Sequence, residues 1–261
     1  MAVFSSKTRA VMPVHLYNNM VQMADLNRWA DENGLSVIED SAEAFSMFQN
    51  EQHAGTFGRF GIFSFFANKT ITCAEGGVVL TDSAERYQQL YRIKNHGRDR
   101  RGTFVHEHFG YNFCFTDLQA AIGLAQLEKL ERIQTAKQRN YDVYLKAFAD
   151  LEPVSVVEPD SNVSSNYWFN NILVRDPESL QAQLHEQGIG TRRYFYPMDR
   201  QPCFANMDQP LTSFPNSQKL YEHGLSIPSG STLTDDELAY VCEKIREACS
   251  KDGSIEETLA A

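Results

Sequence analysis

Gly61-Ile-Phe-Ser-Phe-Phe66, Ala67-Asn-Lys69 and Thr70-Ile-Thr-Cys-Ala-Glu-Gly-Gly-Val-Val-Leu-Thr81 together form the stretch on which the fold turns. The apolar run at its start reads as a buried strand, and Gly76–Thr81 reads as another. Between them lie a lysine, small polar residues and the turn Glu75-Gly76-Gly77, where glycine permits a close backbone approach. Upstream, Val11–Leu16 is a short apolar strand ending near His15. Met20–Asn33 has helical periodicity at Val21, Met23, Leu26, Trp29 and Ala30, and Gly34 stops it. Leu35–Glu39 is the next strand and closes on Asp40. Strand, helix, strand is the crossover unit of a parallel sheet.

Downstream, Ser83 caps a helix running to about Asn95. Thr116-Asp117 opens a long helical stretch, apolar at Leu118, Ala121, Ile122, Ala125, Leu127 and Leu130, that continues to Phe148. Beyond Pro153, strands at Val154–Val157, Tyr167–Val174 and Ile189–Tyr196 alternate with helices at Pro177–Gln187, Ser217–His223 and Thr234–Cys249. The expected organisation is a large α/β domain over 1–130, a smaller α+β domain with its connecting helix over 131–250, and a frayed tail over 251–261.

The 261 residues carry a formal net charge of −10, and 42% are hydrophobic. That is a globular composition, and the acidic balance excludes a general nucleic-acid binder. The densest basic stretch, Arg92, Lys94, Arg98, Arg100 and Arg101, reads as a solvated face or as a site for an anionic ligand. The first residues lack the pattern of a signal peptide, and no run approaches the length of a membrane helix. The five cysteines form no CxxC pair, so the expectation is a reduced cytoplasmic protein without structural metal.

Two residues invite chemistry. Asp40 ends a buried strand, the edge where open α/β sheets bind ligands; taken alone, an Asp there is more often a cap for the following loop or helix. Lys69 is a solvated loop lysine or, if partly buried, an amine able to form a Schiff base. Ser64, five residues earlier, can hydrogen-bond an anionic oxygen.

The order of these phrases decides between the readings. Val37-Ile-Glu-Asp-Ser-Ala-Glu-Ala44, Gly55-Thr-Phe-Gly58 and Phe63-Ser-Phe-Phe-Ala-Asn-Lys69 are followed in register by Glu75-Gly-Gly-Val-Val-Leu-Thr81 and Asn95-His-Gly-Arg98. Gly110-Tyr-Asn112, Thr116-Asp-Leu-Gln-Ala-Ala121, Gly188-Ile-Gly-Thr-Arg192 and Phe214-Pro-Asn216 complete the series. From about residue 9 to about residue 248 the chain resembles the DegT/DnrJ/EryC1/StrS family of sugar aminotransferases, which depend on pyridoxal phosphate (PLP). Gly190-Thr-Arg-Arg-Tyr-Phe-Tyr-Pro197 is similar to its perosamine-synthase-like members.

The resemblance implies a fold type I PLP-dependent transferase architecture: a mostly parallel sheet, incomplete here, with helices on both faces and a small C-terminal α+β domain. It implies that Lys69 is the Schiff-base lysine and Asp40 the partner of the pyridine nitrogen. Ser64 is implied as a phosphate ligand, and Asn112 as an asparagine reaching the phosphate across a homodimer interface. Glu43 stands where the family usually has a glutamine lying against the cofactor. Asn18 and Ala74 stand where it usually has glycine. The implied reaction passes an amino group from a donor such as glutamate to a nucleotide-linked keto-sugar. Family chains begin before the point matched by Thr8–Val11, with a Gly-Thr-Ala phrase that cradles the phosphate. The expectation is therefore an enzyme impaired when alone and in need of a partner for that segment, or else a non-catalytic, dimerising or regulatory remnant.

Overall fold

In a computed structural model, residues 4–100, 102, 104–204 and 214–252 are described. Strands β1 (Ala10–Val11), β2 (Ser36–Asp40), β3 (Phe48–Gln49), β4 (Gln52–His53), β5 (Phe60–Ser64) and β6 (Gly77–Leu80) are interleaved with helices α1 (Met23–Glu32) and α2 (Ala84–Lys94). Then come α3 (Asp117–Leu127), α4 (Leu130–Ala147), β7 (Val154–Val156), β8 (Val163–Ser164), β9 (Asn170–Val174) and α5 (Pro177–Glu186). The last elements are β10 (Arg192–Arg193), α6 (Pro215–His223), β11 (Gly224–Ile227) and α7 (Asp235–Asp252).

The chain divides into two compact units. One is Ser5–Arg132 with Pro159–Asn166; the other is Ile133–Glu158 with the chain from Tyr167 onward. Pro159–Asn166 thus returns to the first unit, where the sequence suggested contiguous domains. Its anchor is β8, which pairs with β3 beside the β3–β4 hairpin. Nothing in the composition of β3, β4 and β8, two residues each, announces these strands. Of the frayed tail expected over 251–261, Lys251 and Asp252 belong to α7; residues 253–261 lie outside the described residues.

In the first unit the sheet order is β1-β2-β5-β6. β1–β2 and β2–β5 are parallel and β5–β6 is antiparallel. The strand expected over Val11–Leu16 shortens to Ala10–Val11, but Val14 still bridges Asp40 in parallel sense. Met23 and Ala30 of α1 pack with Leu35 and Val37, flanked by Leu26 and Trp29. That is the apolar stripe visible in the sequence, turned onto the sheet. Thr116 and Gln119 form a reciprocal capping box at the start of α3, and Ser83 caps α2.

The second unit is built on an antiparallel sheet of order β10-β11-β9-β7. Its core joins Tyr144 and Phe148 with Ile172, Leu180, Leu184, Leu225, Leu238 and Ile245. β11 was not legible: Gly224–Ile227 is too short to show a period, yet all four residues are buried at the sheet's centre. Cys242 and Cys249 are packed in the same core as free thiols.

Lys137 on α4 is 7% exposed, and its Nζ donates to the carbonyls of Trp168 at 3.1 Å and Ser229 at 3.0 Å. Burial disfavours the charged form and pulls its pKa from 10.5 down to about 8. The folded pKa lies below the unfolded one, so between these values the unfolded chain binds more protons and stability rises with pH. Against a Lys137→Met variant, wild-type unfolding free energy should gain about 3 kcal/mol in total from pH 8 to 10.5 and stay parallel below pH 8. Urea titrations across that range measure it. Tyrosine ionisation, common to both proteins, cancels in the difference.

Candidate functional site

The parallel strands β2 and β5 end side by side, with Asp40 opposite Ile62 and Ser64 two residues further on. Their carboxyl ends therefore put Asp40 and Ser64 on one edge of the sheet. The Asp40 backbone is held on both flanks. Its N–H donates to Pro13 O and its carbonyl accepts from His15 N–H, while Ser41 N–H donates to Ile62 O. Asp40 Oδ1 accepts from Ala42 N–H at 3.1 Å, and Ser64 Oγ accepts from Phe66 N–H at 3.3 Å.

After β5 the chain loops out and is sewn back. Lys69 N–H donates to Phe66 O, Cys73 N–H to Phe65 O and Thr72 Oγ1 to the same carbonyl. This fixes the base of Lys69, whose side chain is 14% exposed. Its Nζ lies 3.8 Å from Glu43 Oε1, on a side chain 9% exposed. The solvated reading of Lys69 is therefore not the observed one. Phe45, two residues past Glu43, meets Phe63 and Phe65 edge to face and ties the Glu43 turn to the lysine segment.

Asn112 stands apart from this group. It is exposed and pairs with Asn95 in an isolated antiparallel bridge. Of the basic stretch, Arg92 pairs with Asp99 and Arg98 bonds Asn95, while Arg101 lies outside the described residues.

Sequence reasoning missed three polar residues. Glu39 is fully buried and accepts four hydrogen bonds: Gly55 N–H at 2.8 Å, Phe57 N–H at 2.7 Å, Gly58 N–H at 2.6 Å and His15 Nε2 at 3.2 Å. Val21 N–H donates to His15 Nδ1, which leaves the ring hydrogen on Nε2 facing the carboxylate. The clamped loop also needs glycine: a Cβ on Gly61 would sit 2.0 Å from Gly55 O. A charged residue inside an alternating buried strand was the available signal for Glu39. Asn166, 1% exposed, is the third; its Nδ2 donates to the carbonyls of Glu43 at 2.8 Å and Phe45 at 3.1 Å.

The two positions read as unusual for lacking glycine both adopt positive φ, 66° at Asn18 and 72° at Ala74. Asparagine visits this region readily and alanine does so at a cost.

The sequence model of the DegT/DnrJ/EryC1/StrS aminotransferases matches residues 2–246. The chain belongs to this family. It is 36% identical to GDP-perosamine synthase of Escherichia coli O157:H7 over 246 residues, 93% of this chain and 66% of that one. It is 35% identical to the Vibrio cholerae GDP-perosamine synthase, over 93% of this chain and 67% of that one. The chain thus spans about two thirds of the length of the family members it matches. Among solved structures, S. venezuelae DesV superposes with a TM-score of 0.87 at 26% identity, covering 94% of this chain and 66% of that one. The α/β architecture expected from the phrases is that of these family members. Among the described residues no helix is long and apolar enough to cross a membrane.

Glu39→Gln should lower the unfolding free energy by about 2–4 kcal/mol, because an amide would aim hydrogens at buried N–H donors in place of a charged acceptor. Glu32→Gln, on the exposed face of α1, should stay within about 0.5 kcal/mol. Urea denaturation of both variants checks the contrast.

Proposed function

We propose that this chain carries the lysine of a PLP-dependent aminotransferase site and acts on nucleotide-linked keto-sugars, with an amino acid such as glutamate as donor. The observation that carries this reading is the placement of Lys69: largely desolvated, fixed at its base, and next to a carboxylate at 3.8 Å. A lysine this little exposed, with its backbone fixed, is placed for imine chemistry.

The residues present fit the cofactor on one side. Asp40, at the strand edge, would keep a pyridine nitrogen protonated; Ser64 would donate its hydroxyl hydrogen to a phosphate oxygen; Glu43 would lie beside the ring. Asn112, exposed here, would serve the phosphate of a second copy. When bound, PLP supplies an electron sink for the bond-breaking step. Lys69 would take up and return the proton that moves during amino transfer, acting as base and then acid. The Glu39 clamp keeps the strand end that presents Asp40 from shifting. The GDP-perosamine synthases among the relatives support a sugar linked to a nucleotide, and the UDP-N-acetyl-3-dehydro-alpha-D-glucosamine 3-aminotransferase of Acidithiobacillus ferrooxidans, 30% identical, supports a keto-sugar.

With millimolar PLP and borohydride, peptide mass mapping should find the reduced pyridoxyl group on Lys69. Lys69→Ala should abolish that adduct while leaving surface lysine labelling unchanged. Label spread evenly over surface lysines in both proteins would overturn the assignment.

A second chain is the partner this reading calls for. Phe104, Phe109, Tyr111, Phe113, Leu118 and Leu124 are exposed on and before α3, with Leu118 at 80%. Exposed apolar side chains concentrated in this stretch support association with a second copy of the chain. Light scattering should report a dimer, and Leu118→Glu with Leu124→Glu should shift it to monomer.

A further inference from the structure

We propose that Glu43 is the counter-ion that holds Lys69 as an unreactive ammonium until a carbonyl compound arrives, and that Asn166 sets the spacing of the pair. The proposal rests on reading Lys69 as the imine-forming lysine.

The pair is loose enough to open and dry enough to matter. Nζ and Oε1 are 3.8 Å apart, beyond hydrogen-bond length, on side chains 14% and 9% exposed. An opposite charge at that range, little screened by water, favours the charged amine. The other carboxylate on this segment, Asp40, lies three residues before Glu43, and its Oδ1 is occupied by Ala42 N–H. Glu43 is the carboxylate that stands within 4 Å of the lysine among the described residues.

The spacing is built in from far along the chain. Asn166 Nδ2 donates to Glu43 O and Phe45 O, and reaches Thr70 Oγ1, beside Lys69, at 3.4 Å. One buried amide therefore ties the turn bearing the carboxylate to the segment bearing the amine. It comes from the returning segment Pro159–Asn166, held in the unit through β8 and β3. A side chain needed only to fill space would not require hydrogen bonds to both segments.

An ammonium has no lone pair with which to attack. Release of one proton to solvent frees the amine, which adds to the carbonyl carbon; water then leaves with the carbonyl oxygen as the C=N bond forms. Glu43 opposes the first of these events and so suppresses unproductive reaction of the lysine.

The test needs no cofactor. The full chain is acetylated with trace acetic anhydride at pH 8, and labelling of Lys69 is measured by mass spectrometry relative to Lys94. Glu43→Gln, nearly the same shape without the charge, should raise relative Lys69 labelling about tenfold. Glu43→Asp should stay near wild type. Asn166→Ala should give an intermediate rise, with folding of each variant checked by circular dichroism. Equal labelling of Lys69 in wild type and Glu43→Gln would overturn the proposal. A rise in labelling without any Lys69 adduct to PLP would overturn the cofactor reading and leave the pairing intact.

Discussion

The buried carboxylate of Glu39 is the constraint on which the N-terminal unit depends. A charge removed from water is tolerated only when its oxygens are fully engaged, and here three backbone N–H groups and an imidazole engage them. The geometry fixes more than its own partners. Gly55–Gly58 is drawn onto the end of β2, and His15 is drawn alongside, so that its backbone N–H can bond Asp40 O. Because strand side chains alternate, a Glu39 fixed on one face leaves Asp40 on the other, at the ligand edge of the sheet. The residue that organises the site therefore points away from it.

The lysine loop shows a second economy. Its conformation is set by bonds to Phe65 and Phe66, all local, whereas the carboxylate 3.8 Å from its amine belongs to Glu43, whose turn Asn166 ties to this loop from a segment about a hundred residues away. Local bonds place the amine; distant ones decide what it faces. The same division separates Asn112 from the group: it lies exposed on a different segment.

Much of this was legible in the chain itself. The period of α1, the capping signals at Ser83 and Thr116, and the run into Asp40 reflect interactions within a few residues, which sequence encodes directly. The family was recognisable because the phrases around Asp40, Ser64 and Lys69 stand in a fixed order. Elements such as β3, β8 and β11 were not, because two to four residues carry no period and form strands only when a distant partner supplies the other half of the ladder.

The sequence by itself determined the α/β class and the family, since these depend on residue type, spacing and order. Only the tertiary structure decided that Glu39 is fully enclosed, that Asn166 joins two segments, and that the carboxylate at position 43 faces the lysine. Those relations are distances between residues remote in the chain. Burial and hydrogen-bond closure, not local propensity, set them.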